Sequence, residues 1–166
     1  MHKSAVGKRL AAAFATASLA GALGLAGSGS AQAASATAAP EPLSFTIDYS
    51  KTSIPQVPTL GAGFAGNGPV YDASGNQIGK VYDACTVDGV ESVTTVHALC
   101  HAYVIFSNGD ELDLSTQAKI ELNPLKYPYT IKAVVQGGTG AYSGAQGEAA
   151  VTAQKPGVYK VDVQFK

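Results

Sequence analysis

From Leu43 onward the chain runs in short stretches of alternating apolar and polar residues, separated by clusters of turn formers. Leu43-Ser44-Phe45-Thr46-Ile47-Asp48-Tyr49 is the first, and its period of two predicts a strand with one buried face. Lys51 to Pro58 is broken by Pro55 and Pro58 and reads as a loop. Leu60 to Tyr71 is a glycine-heavy second strand, closed by the turn cluster Asp72 to Gln77. Ile78 to Val87 is a third, after which Asp88-Gly89 is expected to turn the chain. Val93 to Phe106 is a long fourth strand, followed by the hairpin signal Asn108-Gly109-Asp110. Glu111 to Gln117 is a fifth, and Leu122 to Pro128, holding two prolines, is a loop. Tyr129 to Gln136 and Gly147 to Ala153 are the sixth and seventh. Lys155-Pro156-Gly157 turns into the eighth, Val158 to Phe165, where Tyr159, Val161, Val163 and Phe165 share the core face. Eight strands on short turns predict an all-β sandwich or closed antiparallel barrel. Eight is also the number at which a barrel fills its own interior or holds one small ligand.

The first residues follow another pattern. His2, Lys3, Lys8 and Arg9 precede an Ala/Leu/Gly-rich run from Leu10 to Ala26, and Ala31-Gln32-Ala33 supplies a small-x-small cleavage site. Residues 1–33 read as a secretory signal peptide. Gly21, Gly24 and Gly27 interrupt the apolar run and argue against a membrane anchor, so no membrane span is expected once the signal is removed. Residues 34–42 are Ala/Pro-rich and are expected to form a disordered leader, and 43–166 form the domain. A secreted, extracellular protein follows. With 14% charged residues and a net charge of −1, there is no electrostatic reason to expect a nucleic-acid partner. The two cysteines, Cys85 and Cys100, have two readings in an exported chain: a disulfide, or a free thiol at Cys85 with a chemical role.

The most distinctive stretch is Gln136 to Ala149, with Gly137, Gly138, Gly140, Gly144 and Gly147 forming a structural corner between two apolar runs. Glycine there allows positive φ and close approach of other backbone. The order G-G-T-G-x-Y followed by G-A-x-G-E-A resembles the signature of the allene oxide cyclase and dirigent barrel superfamily. Val70 to Lys80 is similar to its strand, D-x-x-G-x-x-x-G, strand passage. Ala84-Cys85-Thr86-Val87, and Cys100 to Leu112, resemble the cysteine-bearing strands of bacterial members. The resemblance spans roughly Gly63 to Phe165 and implies an eight-stranded antiparallel barrel. It further implies, for an enzyme, an isomerase or cyclase that guides the cyclisation or coupling of an apolar or phenolic molecule. Such barrels work by positioning and water exclusion, without a cofactor. It implies a pocket-lining place for Cys85; several plant relatives are trimers, but no strand face here is apolar enough on both sides to decide the oligomeric state. Where the family carries Gly-Asp, arginine and glycine, this chain has Gly61-Ala62 or Gly63-Phe64, Gln146 and Asp83. Those differences motivate the rival reading, a non-catalytic extracellular barrel for a ligand, carbohydrate or protein.

Asp83 is the catalytic candidate. On a regular strand it shares a face with Val81, Cys85 and Val87, and an inward carboxyl would have a raised pKa and could act as acid or base. The alternatives are a bulge that turns it outward or a turn cap. Ligand-lining roles are expected for Phe45, Val81, Tyr103 and Phe106, with Tyr103 offering a ring with a polar tip. Gly61-Ala62-Gly63-Phe64-Ala65-Gly66 matches G-x-G-x-x-G but has no helix after it, so a strand explains it. Gly140 to Gly144 places its serine one position late for a nucleophile elbow. His97 and His101, at about 13 Å along one strand, are too far apart to share a metal, and no metal site is expected.

Overall fold

The computed structural model describes residues 39–49 and 59–166. The expected signal peptide, most of the leader and the Lys51–Pro58 loop lie outside the described residues. Eight strands follow in order: β1 (Leu43–Asp48), β2 (Gly63–Tyr71), β3 (Gln77–Ser92), β4 (Thr95–Phe106), β5 (Glu111–Glu121), β6 (Tyr129–Gly138), β7 (Gly147–Lys155) and β8 (Val158–Phe165). Each pairs antiparallel with the next, and β8 returns to β1, so the sheet is a closed eight-stranded barrel. The β1–β8 seam runs from Leu43 opposite Val163 to Asp48 opposite Val158. β1 meets β2 only at Thr46–Tyr71 and Ile47–Val70.

The turns form where side chains can satisfy the freed backbone. Asp72 Oδ1 accepts the amides of Ser74 (2.9 Å) and Asn76 (2.8 Å), with Gly75 at φ +84°. Asn108 Oδ1 accepts the Asp110 amide beside Gly109 at φ +90°. One expected turn is not there. β3 runs through Asp88-Gly89 to Ser92, and the register shifts between Val87 and Gly89. A bulge absorbs the extra residue without ending the ladder, and Gly89 fits closely there, since a Cβ would stand 3.3 Å from the His97 Cβ opposite. The reversal falls instead at Val93-Thr94, where Ser92 Oγ accepts the Thr94 amide. β5 likewise extends beyond Gln117 to Glu121.

Alternation fills the interior. Phe45, Val70, Val81, Val104, Leu112, Val161 and Val163 are essentially fully buried. At one rim, Phe106 packs against Phe45 (6.1 Å between ring centres) and Tyr142 (5.4 Å), and Tyr142 stacks on Phe165 (5.7 Å). Tyr142 reaches this plug because the glycine corner folds onto the β4–β5 hairpin. Gly138 lies against the Glu111 carbonyl, and Gly140, at φ +56°, against the Asp110 carboxylate.

Cys85 and Cys100 are direct register partners on β3 and β4 and form a disulfide. It closes a loop of 15 residues, which stabilises by roughly 3 kcal/mol on the chain-entropy argument. A Cys85→Ser, Cys100→Ser double variant should therefore unfold at a clearly lower urea concentration. Equal midpoints for variant and parent would show that the bridge constrains nothing the barrel does not already hold.

Candidate ligand cavity

The barrel is filled at the plugged rim and hollow beyond it, and residue size explains the change. Toward the plug the inward positions hold Phe45, Val81, Val104 and Leu112. Further along they hold Gly66, Ala102, Ala118 and Ala133, which leave a cavity of about 120 Å³. Space of roughly 150 Å³ in an apolar core admits benzene, so this cavity is of single-ring size. Ile47, Ile120, Ile131, Val151 and Val161 supply aliphatic walls, Phe64 an aromatic one, and the disulfide sits in the wall between β3 and β4.

Asp83 projects into this cavity from β3, between Gly66 on β2 and Ala102 on β4. Burial pushes its carboxyl above the usual range. The Gly66 and Asp83 amides and the Tyr49 hydroxyl pull it partly back. Oδ1 is buried and has no hydrogen-bond partner. The carboxylate can lie there only because residue 66 is glycine: a Cβ would stand 2.5 Å from Oδ1 and 3.4 Å from the Tyr49 ring. Tyr49, immediately after β1, meets Tyr159 of β8 edge-on at 5.8 Å between ring centres, and both line the cavity. Burial, with the nearby Tyr127 and Asp83, pushes the Tyr159 phenol up to about 12. Burial and the Asp83 charge push Tyr49 higher still. Both phenols are thus neutral hydroxyls at any physiological pH. The cavity's polar end is one carboxyl faced by two such groups.

The other expected site residues lie elsewhere. Phe45 and Val81 belong to the filled core, and Phe106 to the aromatic plug. Tyr103 stands on the outer face, 48% exposed: the parity that turns Ala102 and Val104 inward turns Tyr103 out. His101 shares that outer face, and His97 sits 3.4 Å from Glu91 outside the barrel. Among the described residues no group of side chains could hold a metal ion, and no helix is long and apolar enough to cross a membrane. Gly66, Tyr49 and Tyr159, which build the polar end, were not singled out by the sequence as site residues.

Solved structures share this architecture. A pyocyanin demethylase superposes with a TM-score of 0.57 at 17% identity, over 76% of this chain and all of that one. The pterocarpan synthase dirigent protein PsPTS1 gives 0.51 at 15% identity, over 75% of this chain and 92% of that one. A second, GePTS1, gives 0.52 at 17%, over 75% and 82%. The fold is a dirigent-like barrel. At these identities the likeness is one of fold, and no protein-family model and no curated protein matches the chain. In this dirigent-like barrel the hollow lies between β2, β3, β4 and β5 on one side and β6, β7, β8 and β1 on the other, so every strand contributes to its wall.

Proposed function

We propose that this is an exported barrel that binds a small apolar or amphipathic molecule in its interior and guides that molecule's cyclisation or coupling. The reading is of the allene oxide cyclase-like and dirigent-like kind. The observation that carries it is the apolar hollow with a single carboxyl at its polar end. A molecule held there is shielded from part of the surrounding water and confined to few conformations, which are the two contributions such a site can make without a strong nucleophile. Asp83 is the group placed to take or give a proton, and the neutral phenols of Tyr49 and Tyr159 are placed to donate hydrogen bonds to an oxygen that gains charge. Export is supported by the N-terminal segment and by the disulfide, which suits an oxidising compartment.

Native mass spectrometry of the mature protein, recovered from the medium of the cells that export it, tests the binding reading. A mass above the disulfide-bonded chain, released by solvent extraction as a small apolar compound, is the expected result. An apo mass that does not shift with fatty-acid or phenolic probes would remove the reading.

A further inference from the structure

Among the described residues the cavity holds one carboxyl, Asp83, and no positive charge. Among the described residues that line it there is no lysine, arginine or histidine. The elements packed around Asp83 present Tyr49 after β1, Gly66 from β2, Ala102 from β4 and Tyr159 from β8. The titratable groups among these are the two tyrosines, whose phenols are neutral and bring no positive charge. An ionised carboxylate in apolar surroundings is unfavourable unless a charge pairs with it, and the amides and the Tyr49 hydroxyl that act on this carboxyl only partly offset its burial. Three rings line the same hollow: Phe64, Tyr49 and Tyr159. Ring faces attract cations. An anionic acceptor, aromatic neighbours and aliphatic walls together form the complement of an organic cation.

We propose that the ligand of this cavity is a small protonated amine on an apolar, single-ring body, with its ammonium paired to the Asp83 carboxylate. The inference rests on the binding reading above and adds the ligand's charge and size to it. A carboxylate ligand would meet like charge at the polar end. A neutral ligand can donate a hydrogen bond to the carboxyl but brings no charge to its ionised form. The pH dependence follows from the same groups. Burial holds a proton on Asp83 above the usual carboxyl range, and a bound ammonium favours the ionised form. Amine affinity should therefore rise as pH climbs through the elevated Asp83 pKa, while Tyr49 and Tyr159 stay neutral throughout.

The test is a calorimetric titration of the disulfide-bonded protein at neutral pH and physiological salt with benzylamine, benzyl alcohol, toluene and benzoate. Hydrogen bonds to charged groups are worth enough to separate the first two by about tenfold or more. Benzylamine should bind tightest and benzoate weakest. In Asp83→Asn, shown by near-ultraviolet circular dichroism to keep its tertiary packing, benzylamine should fall to the level of benzyl alcohol. If toluene or benzyl alcohol binds and benzylamine binds no tighter, or if the amine advantage survives Asp83→Asn, the cation assignment is wrong and the apolar pocket stands. If none of the four binds, the pocket reading fails and takes this one with it.

Discussion

Phe45→Ala is expected to cost about 3–5 kcal/mol of folding free energy, the range seen when a buried aromatic is truncated. Phe45 leaves β1 opposite Val161, is 2% exposed, and packs its ring edge-on to Phe106 at the base of the aromatic plug. Its neighbours sit on a closed sheet whose strands cannot slide inward one at a time, so the void would collapse little. Domains of this size have about 5–15 kcal/mol of stability in all, and such a loss would remove a large share of it. Urea unfolding followed by tyrosine fluorescence would measure it. A loss below about 1 kcal/mol would show that the plugged end repacks freely.

Gly138→Ala should be comparably severe, at about 3 kcal/mol, the upper end of what overpacking costs. The new methyl would be driven into the Glu111 carbonyl and would stand 2.9 Å from Tyr142 Cβ. Neither neighbour can give way cheaply. The Glu111 carbonyl accepts the Thr139 amide at 3.0 Å, and Leu112, next along the chain, is the register partner of Gly138. Gly75→Ala makes the useful comparison, because there the methyl would meet open space and only the positive φ opposes it. Strain of that kind is worth roughly 1–2 kcal/mol. Denaturation midpoints should fall much further for Gly138→Ala than for Gly75→Ala. Equal shifts would mean that the corner does not depend on close approach.

The strands were legible because eight short alternating runs, set off by Asp72–Gln77, Asn108–Asp110 and Lys155–Gly157, leave few other ways to bury their apolar faces. The Asp88-Gly89 turn was misplaced for a physical reason. The same dipeptide serves a tight turn and a bulge, and the choice depends on whether a partner strand continues alongside, as β4 does through His97. The inward direction of Asp83 could be read from its parity with Val81 and Cys85, with the bulge as the open alternative. Tyr103 could have been placed outside by the same count from Ala102. The cavity itself left a fainter mark: glycine or alanine at inward positions of neighbouring strands, Gly66 on β2, Ala102 on β4, Ala118 on β5 and Ala133 on β6. Small residues at the inward period are a signal for hollowness, but only once the register between strands fixes which of them face one another. The contact of Tyr49 with Asp83 across β2 is a tertiary juxtaposition with no local trace in the sequence.

The unequal seams of β1 have a consequence for topology. Its long ladder to β8 and its brief one to β2 mean that the ring of pairings is closed by the first and last strands. Leu43 and Val163 lie side by side at the plugged rim. Seen as a cycle, the barrel has no privileged starting strand. Joining Phe165 to Leu43 by a short linker and cutting the chain at the 156–157 turn would leave every strand neighbour and the plug's ring contacts in place. The order of the strands along the chain is then one of several equivalent ways to write the same cylinder.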